Sequence, residues 1–166
     1  MSDCCTAAPG GACALPSPRD PAVCPACGRK GKPVGVLTVK HLVRDHMAVQ
    51  NPASYSFCRT RDCEVVYFAP GSVFRKPDLK VRVGLKESAD PIPLCYCFGY
   101  DESDIRRDME EHGRTEIPQR IKAEVKAGMC ACETRNPSGK CCLGEVQQAL
   151  QKAQALVKKA GVALER

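Results

Sequence analysis

The spacing of apolar residues changes part-way along this chain. From Ala22 to about Ser88 they come in short β-branched or alternating runs. These are Val34 to Val39, Ser56-Phe57 leading into Cys58, and Glu64-Val65-Val66-Tyr67-Phe68 before a Pro70-Gly71 turn. Val81, Val83 and Leu85 alternate with Lys80, Arg82 and Gly84, the two-residue period of a half-buried strand. Lys40 to Gln50 interrupts this pattern and reads as one helix, with Leu42, Val43 and Met47 on one side and Asn51-Pro52 at its end. Asp90-Pro91-Ile92-Pro93 marks a boundary, because closely spaced prolines favour an extended connector. Beyond it the period is helical. Ser103 is placed to cap a helix through His112, with Ile105 and Met109 four apart and Gly113 at the stop. Pro118 suits the first turn of a second helix, whose Ile121 and Val125 share a face and which stops at Gly128. A third starts near Gly144, with Val146, Leu150, Ala153 and Val157 close to one stripe and Lys158-Lys159 complementing its C-terminal dipole. Strands followed by helices predict an α+β fold. The expected parts are a flexible tail over residues 1–20, a strand-rich subdomain over 21–90 and a helical subdomain over 91–166.

Composition makes such parts hard to stabilise by packing alone. Aromatic residues are 5% of the 166, none is Trp, and the 43% hydrophobic share includes 13 Cys. A domain of about 60 residues buries only about 60% of its unfolded surface, so each part needs cross-links. Those are disulfides or metals. Met1 to Asp20 shows neither the basic start nor the apolar run of a signal peptide, and no 18-residue apolar stretch predicts a membrane span. The expectation is therefore the reducing cytoplasm, where cysteine patterns point to metals or redox chemistry, and an odd cysteine count fits disulfides poorly. The net charge of +6 is spread among 19 acids, and aromatic residues do not interleave with basic ones. That pattern reads as solvated surface, with no nucleic-acid partner expected.

The cysteines sort into three groups. Cys4, Cys5 and Cys13 lie in the tail; their thiols are candidates for capture of a soft metal, beside the reading of incidental thiols in a flexible segment. Cys24-Pro25-Ala26-Cys27-Gly28 is a C-x-x-C knuckle, matched by Cys58 and Cys63 about thirty residues later. Two such pairs suit a closed tetrahedral zinc site, which is structural because no coordination position stays open. A mononuclear iron site would use the same ligands, and a lone knuckle would read as a redox pair. His41 and His46, five apart, would face different sides of one helix and read as ordinary histidines. Cys95, Cys97, Cys130, Cys132, Cys141 and Cys142 form the third group. A 2Fe–2S cluster needs four thiolates and six are offered; zinc is the other occupant that this group suits. No general base beside a nucleophile and no phosphate-cradling loop is visible, so a binding or electron-transfer protein is expected rather than an enzyme.

Two stretches resemble the N-terminal metal-binding region of CopZ-type copper chaperones. One is Cys95-Tyr96-Cys97-Phe98-Gly99 with Cys132, Asn136-Pro137-Ser138-Gly139 and Cys141-Cys142. The other is Tyr55-Ser56-Phe57-Cys58, Cys63-Glu64-Val65-Val66-Tyr67-Phe68-Ala69 and Val73-Phe74-Arg75-Lys76. The likeness covers about residues 22–146. It implies zinc on Cys24, Cys27, Cys58 and Cys63. It also implies a 2Fe–2S cluster on Cys95, Cys97, Cys132 and Cys142, in a helical half similar to bacterioferritin-associated ferredoxin domains. Within the resemblance Cys132 is preferred to Cys130 because it stands four residues before Asn136, and Cys142 to Cys141 by the same alignment. The implied function is one-electron transfer in soft-metal handling; the alternatives are a metallochaperone or metal sensor using the tail cysteines, and a cluster-bearing docking module. Expected partners are an electron donor or acceptor protein or a soft-metal transporter. The family's heavy-metal-associated domain, with its Met-x-Cys-x-x-Cys copper loop, is not expected within these 166 residues.

Overall fold

The β-branched and aromatic residues of the first half pair into a four-stranded antiparallel sheet. The computed structural model describes residues 22–50 and 55–164. Strands β1 (Lys32–Val34), β2 (Tyr55–Phe57), β3 (Val65–Ala69) and β4 (Ser72–Arg75) lie side by side in that order. Ser56 is the register pin, opposite Pro33 on one side and Phe68 on the other. The Pro70-Gly71 turn closes the β3–β4 hairpin as its sequence predicts. Packed against the sheet is a core of Val34, Val39, Val43, Tyr55, Phe57, Val66, Tyr67, Phe74, Leu79 and Val83. Two tilted aromatic pairs, Tyr55–Phe74 and Phe57–Tyr67, each have ring centroids 6.0 Å apart. Four rings thus do much of the work in a half with few of them.

Three local expectations fail here. The Val34–Val39 run is not one strand: β1 ends at Val34, and helix α1 (Val36–Leu42) begins after Gly35. The helix expected over Lys40–Gln50 therefore starts earlier and stops at Leu42. It stops because the next backbone segment pairs elsewhere: Arg44 N–H donates to Asp78 O and Lys80 N–H to Leu42 O, at 2.9 and 2.8 Å. Val81 to Leu85 is not a strand either. Gly84–Lys86 is a 3₁₀ turn, closed by Lys86 N–H donating to Val83 O at 2.7 Å.

In the second half a hairpin of β5 (Pro93–Cys95) and β6 (Tyr100–Asp101) leads into α2 (Glu102–His112), α3 (Ile117–Lys126), α4 (Cys132–Arg135) and α5 (Leu143–Leu164). Asp101, not Ser103, caps α2. Its Oδ1 accepts from the backbone N–H groups of Ser103 and Asp104 at 2.7 and 3.1 Å, and Asp104 Oδ2 accepts from Asp101 N–H. A carboxylate at the positive end of the helix outcompetes a hydroxyl there. Ile105, Met109, Ile117, Ile121, Val146, Ala149 and Ala153 bury themselves together with Leu94, Cys95 and Cys142. Leu150 is partly buried, whereas Val157 is exposed and lies outside the packed stripe.

The halves are joined by polar contacts. Thr38 Oγ1 of α1 donates to Glu133 O of α4 at 2.6 Å, and Tyr67 O–H donates to Pro137 O at 2.8 Å. Tyr96 O–H donates to Arg82 O at 2.9 Å and its oxygen accepts from Gly84 N–H at 2.8 Å. Gly84 is there because nothing larger fits: a Cβ would lie 1.9 Å from Pro93 O. Gly84→Ala is therefore expected to destabilise the protein by at least the ~1–3 kcal/mol of a tight overpacking, because backbone must move. Gly35→Ala, whose Cβ meets nothing nearer than 3.9 Å, is the control. Thermal denaturation of the two variants measures the difference, and equal midpoints would refute the close packing at this joint.

Candidate metal centres

The first centre is assembled by two short loops at the sheet's edge. Gly28 N–H donates to Cys24 O and Cys24 N–H to Arg29 O, both at 2.9 Å, which folds the knuckle back on itself. Gly28 sits at φ +67°, a left-handed conformation that glycine adopts without steric cost. Cys58 follows β2, its N–H donating to Val66 O at 2.9 Å, and Cys63 closes a turn onto Thr60 O at 3.3 Å. The four sulfurs all lie within 4.8 Å of one another. Cys24 Sγ is 3.9 Å from Cys63 Sγ, and Cys27 Sγ is 3.6 Å from Cys58 Sγ. A tetrahedron with Zn–S near ~2.3 Å has sulfur–sulfur edges of ~3.8 Å, so the donor set fits zinc without rearrangement. Val65 and Phe68 complete a small cluster in which the sulfurs are themselves the core.

Electrostatics make this set dependent on a cation. The Thr60 hydroxyl, 3.3 Å from Cys27 Sγ, holds the Cys27 thiol down to about 6. Burial pushes Cys63 up to about 12 and raises Cys24 as well. One thiolate forms readily and others resist, so the remaining protons leave when a metal ion takes their place. His41 and His46 are not part of the quartet.

The second group is arranged differently. Cys95 ends β5, Cys97 lies in the β5–β6 turn, Cys132 opens α4 and Cys142 directly precedes α5. Cys97 Sγ and Cys132 Sγ are 3.7 Å apart, and Cys95 and Cys142 are both buried in the same core cluster. No three sulfurs of this half meet the 4.8 Å mutual spacing of the first quartet. They do not form a tetrahedron like that of the first quartet. The contact with Cys142 lowers Cys95 to about 6 and, together with burial, pushes Cys142 up. Burial and the nearby Cys97 push Cys132 up to about 12. Ala131 N–H donates to Cys97 Sγ at 3.3 Å. Cys130 is half-buried and Cys141 exposed. Cys4, Cys5 and Cys13 lie outside the described residues.

Sequence reasoning treated Asn136-Pro137-Ser138-Gly139 as a turn and missed what Asn136 does. Its side chain is buried, accepts from Ser138 N–H at 3.0 Å and donates to Lys140 O at 2.8 Å. Its own N–H donates to Cys132 O at 2.9 Å. One asparagine thus ties the backbone at Cys132 to the strand of chain leading into Cys142. Thr60 was missed too, although its place between Cys58 and Cys63 is a usable signal.

Comparison with known proteins places this geometry. The family described as the CopZ zinc-binding domain matches residues 21–80. The copper chaperone CopZ of Archaeoglobus fulgidus is 38% identical over 119 residues, covering 72% of this chain and 57% of that protein. The X-ray structure of the Archaeoglobus fulgidus CopZ N-terminal domain superimposes with a TM-score of 0.64 at 34% identity, covering 76% of this chain and 96% of that domain. The chain belongs to the CopZ family, as an N-terminal-type region. It is a zinc-binding protein of CopZ type, with the α+β architecture of that region. It spans 57% of the length of the curated CopZ relative, and no helix among the described residues is long and apolar enough to cross a membrane.

Proposed function

We propose that this chain is a copper-handling protein of the metallochaperone class that carries two metal centres. In this reading Zn²⁺ on Cys24, Cys27, Cys58 and Cys63 braces a subdomain of residues 21–90. A 2Fe–2S cluster on Cys95, Cys97, Cys132 and Cys142 occupies a helical subdomain of residues 91–166. The observation that carries the second assignment is that its sulfurs do not close into one quartet as the first four do, although Cys97 Sγ and Cys132 Sγ lie 3.7 Å apart and Cys95 and Cys142 are buried in one cluster. A single tetrahedral ion draws four sulfurs to ~3.8 Å from one another, whereas a 2Fe–2S cluster takes two thiolates at each of two irons. Such a cluster supplies one-electron redox chemistry when bound. The residues here hold the sulfurs in place, exclude water from Cys95 and Cys142, and aim the Ala131 N–H at Cys97 Sγ. Hydrogen bonds to cluster sulfurs set the reduction potential in such proteins.

The copper assignment comes from the relatives: the matched full-length protein is named a copper chaperone. Reduction of a bound soft metal would then be coupled to its delivery, with an electron donor or acceptor protein or a soft-metal transporter as partner. Cys4, Cys5 and Cys13 are the proposed capture thiols. A reducing cytoplasm suits ten cysteines that are free among the described residues. Anaerobic purification tests the reading. The protein is expected to be brown, to hold about two iron and one zinc per chain, and to give a 2Fe–2S EPR signal on reduction. A colourless protein with two zinc ions would establish zinc in both centres and remove the redox role.

A further inference from the structure

The zinc half contains a buried charge that neither metal-site assignment uses. Lys86 is 6% exposed, the sole charged side chain in the core among the described residues. Its Nζ donates to Thr60 O at 2.7 Å and to Cys63 O at 2.9 Å. It has no carboxylate partner there. The adjacent Glu87 is taken by Arg82 at 2.8 Å and Lys76 at 3.5 Å, and Glu64 lies 3.9 Å from Lys76. An ammonium removed from water with only carbonyls around it is unfavourable unless an anion stands close by. A dication held by four thiolates would have a formal net charge of about −2, and such a quartet beside the Thr60–Cys63 turn would supply that anion.

The contacts also bear on geometry. Thr60 O accepts from both Lys86 Nζ and Cys63 N–H, and the Thr60 hydroxyl lies 3.3 Å from Cys27 Sγ. Holding this one turn therefore places two ligands from opposite loops, Cys63 directly and Cys27 through the hydroxyl. We propose that Lys86 is the counter-charge and clamp of the zinc thiolates, a positioning residue that slows metal loss from the quartet. This rests on the assignment of zinc to Cys24, Cys27, Cys58 and Cys63.

Zinc transfer from the full chain to the chromogenic chelator 4-(2-pyridylazo)resorcinol tests it. K86M and K86Q are expected to release zinc ~10–100-fold faster than the parent, the range found when groups supporting metal ligands are removed. K86R keeps the charge and is expected to stay near the parent rate. K86Q retains an N–H donor for the same carbonyls, so it separates charge from hydrogen bonding. In Co²⁺-substituted protein the thiolate-to-metal charge-transfer band is expected to shift in K86M and K86Q but not in K86R. Parent-like release from K86Q, or release from K86R as fast as from K86M, would overturn the proposal. If K86M and K86Q fail to fold with zinc while K86R folds, the need for the charge is upheld; if K86R fails as well, charge is not what the site requires and the proposal falls. Metal content of the parent protein, measured first, shows separately whether the zinc assignment itself holds.

Discussion

Replacing Cys58 and Cys63 together by serine is expected to abolish zinc binding and, with it, the cooperative fold of the first half. The magnitudes decide this. Structural zinc contributes ~10–16 kcal/mol in zinc-finger peptides, whereas whole domains are stable by only ~5–15 kcal/mol. The sheet's core offers little to make up the difference, resting on valines and two aromatic pairs. The second cluster of that half consists largely of the ligands, Cys24, Cys58 and Cys63, packed with Val65 and Phe68. Without metal, these thiols face one another with no charge to hold them. Metal analysis and near-UV circular dichroism follow the two losses, and chelator treatment of the parent protein is expected to reproduce them. A double variant that retained a sharp thermal transition for this half would show that packing alone suffices.

The second large effect is expected at Cys142. Its thiol is buried in one cluster with Cys95 and sits where the chain enters α5, its carbonyl accepting from Val146 N–H at 3.0 Å. Cys142→Ser is expected to remove the visible absorption of the proposed cluster while leaving about one zinc per chain, because the first quartet shares none of these sulfurs. Cys141→Ser and Cys130→Ser are expected to stay coloured, since Cys141 is exposed and Cys130 only half-buried. Colour retained in Cys142→Ser and lost in Cys141→Ser would exchange the two neighbours as ligands.

How far the sequence could be read differs from element to element. The β3–β4 hairpin and the positions of α2, α3 and α5 are local features: a β-branched run before Pro-Gly, and apolar residues four apart between a cap and a glycine. Each is decided within about ten residues, so it is visible in a string of letters. The knuckle Cys24–Cys27 is legible for the same reason, because its turn is closed by bonds between Cys24 and its near neighbours. The Cys24, Cys27, Cys58 and Cys63 sulfurs come together because their two loops flank the same sheet.

Where the reading failed, a distant partner decided the outcome. Val36 to Val39 is β-branched enough for a strand, yet it is helical because Thr38 and Val39 are needed on a face that packs against α4 and the sheet. Val81 to Leu85 alternates like a strand, but Gly84 is pressed onto Pro93 and anchored by Tyr96, and the backbone turns instead. The order in which the four sulfurs of the first quartet approach, the approach of Cys97 to Cys132 in the second group, and the burial of Lys86 beneath the Thr60–Cys63 turn likewise have no local signature. Sequence by itself determined the hairpin at Pro70-Gly71, the positions of α2, α3 and α5 and the Cys24–Cys27 knuckle, since each is a property of near neighbours. Tertiary structure alone decided which sulfurs face each other and where an unpaired ammonium is buried, because those depend on close approach between segments that the chain brings together only on folding.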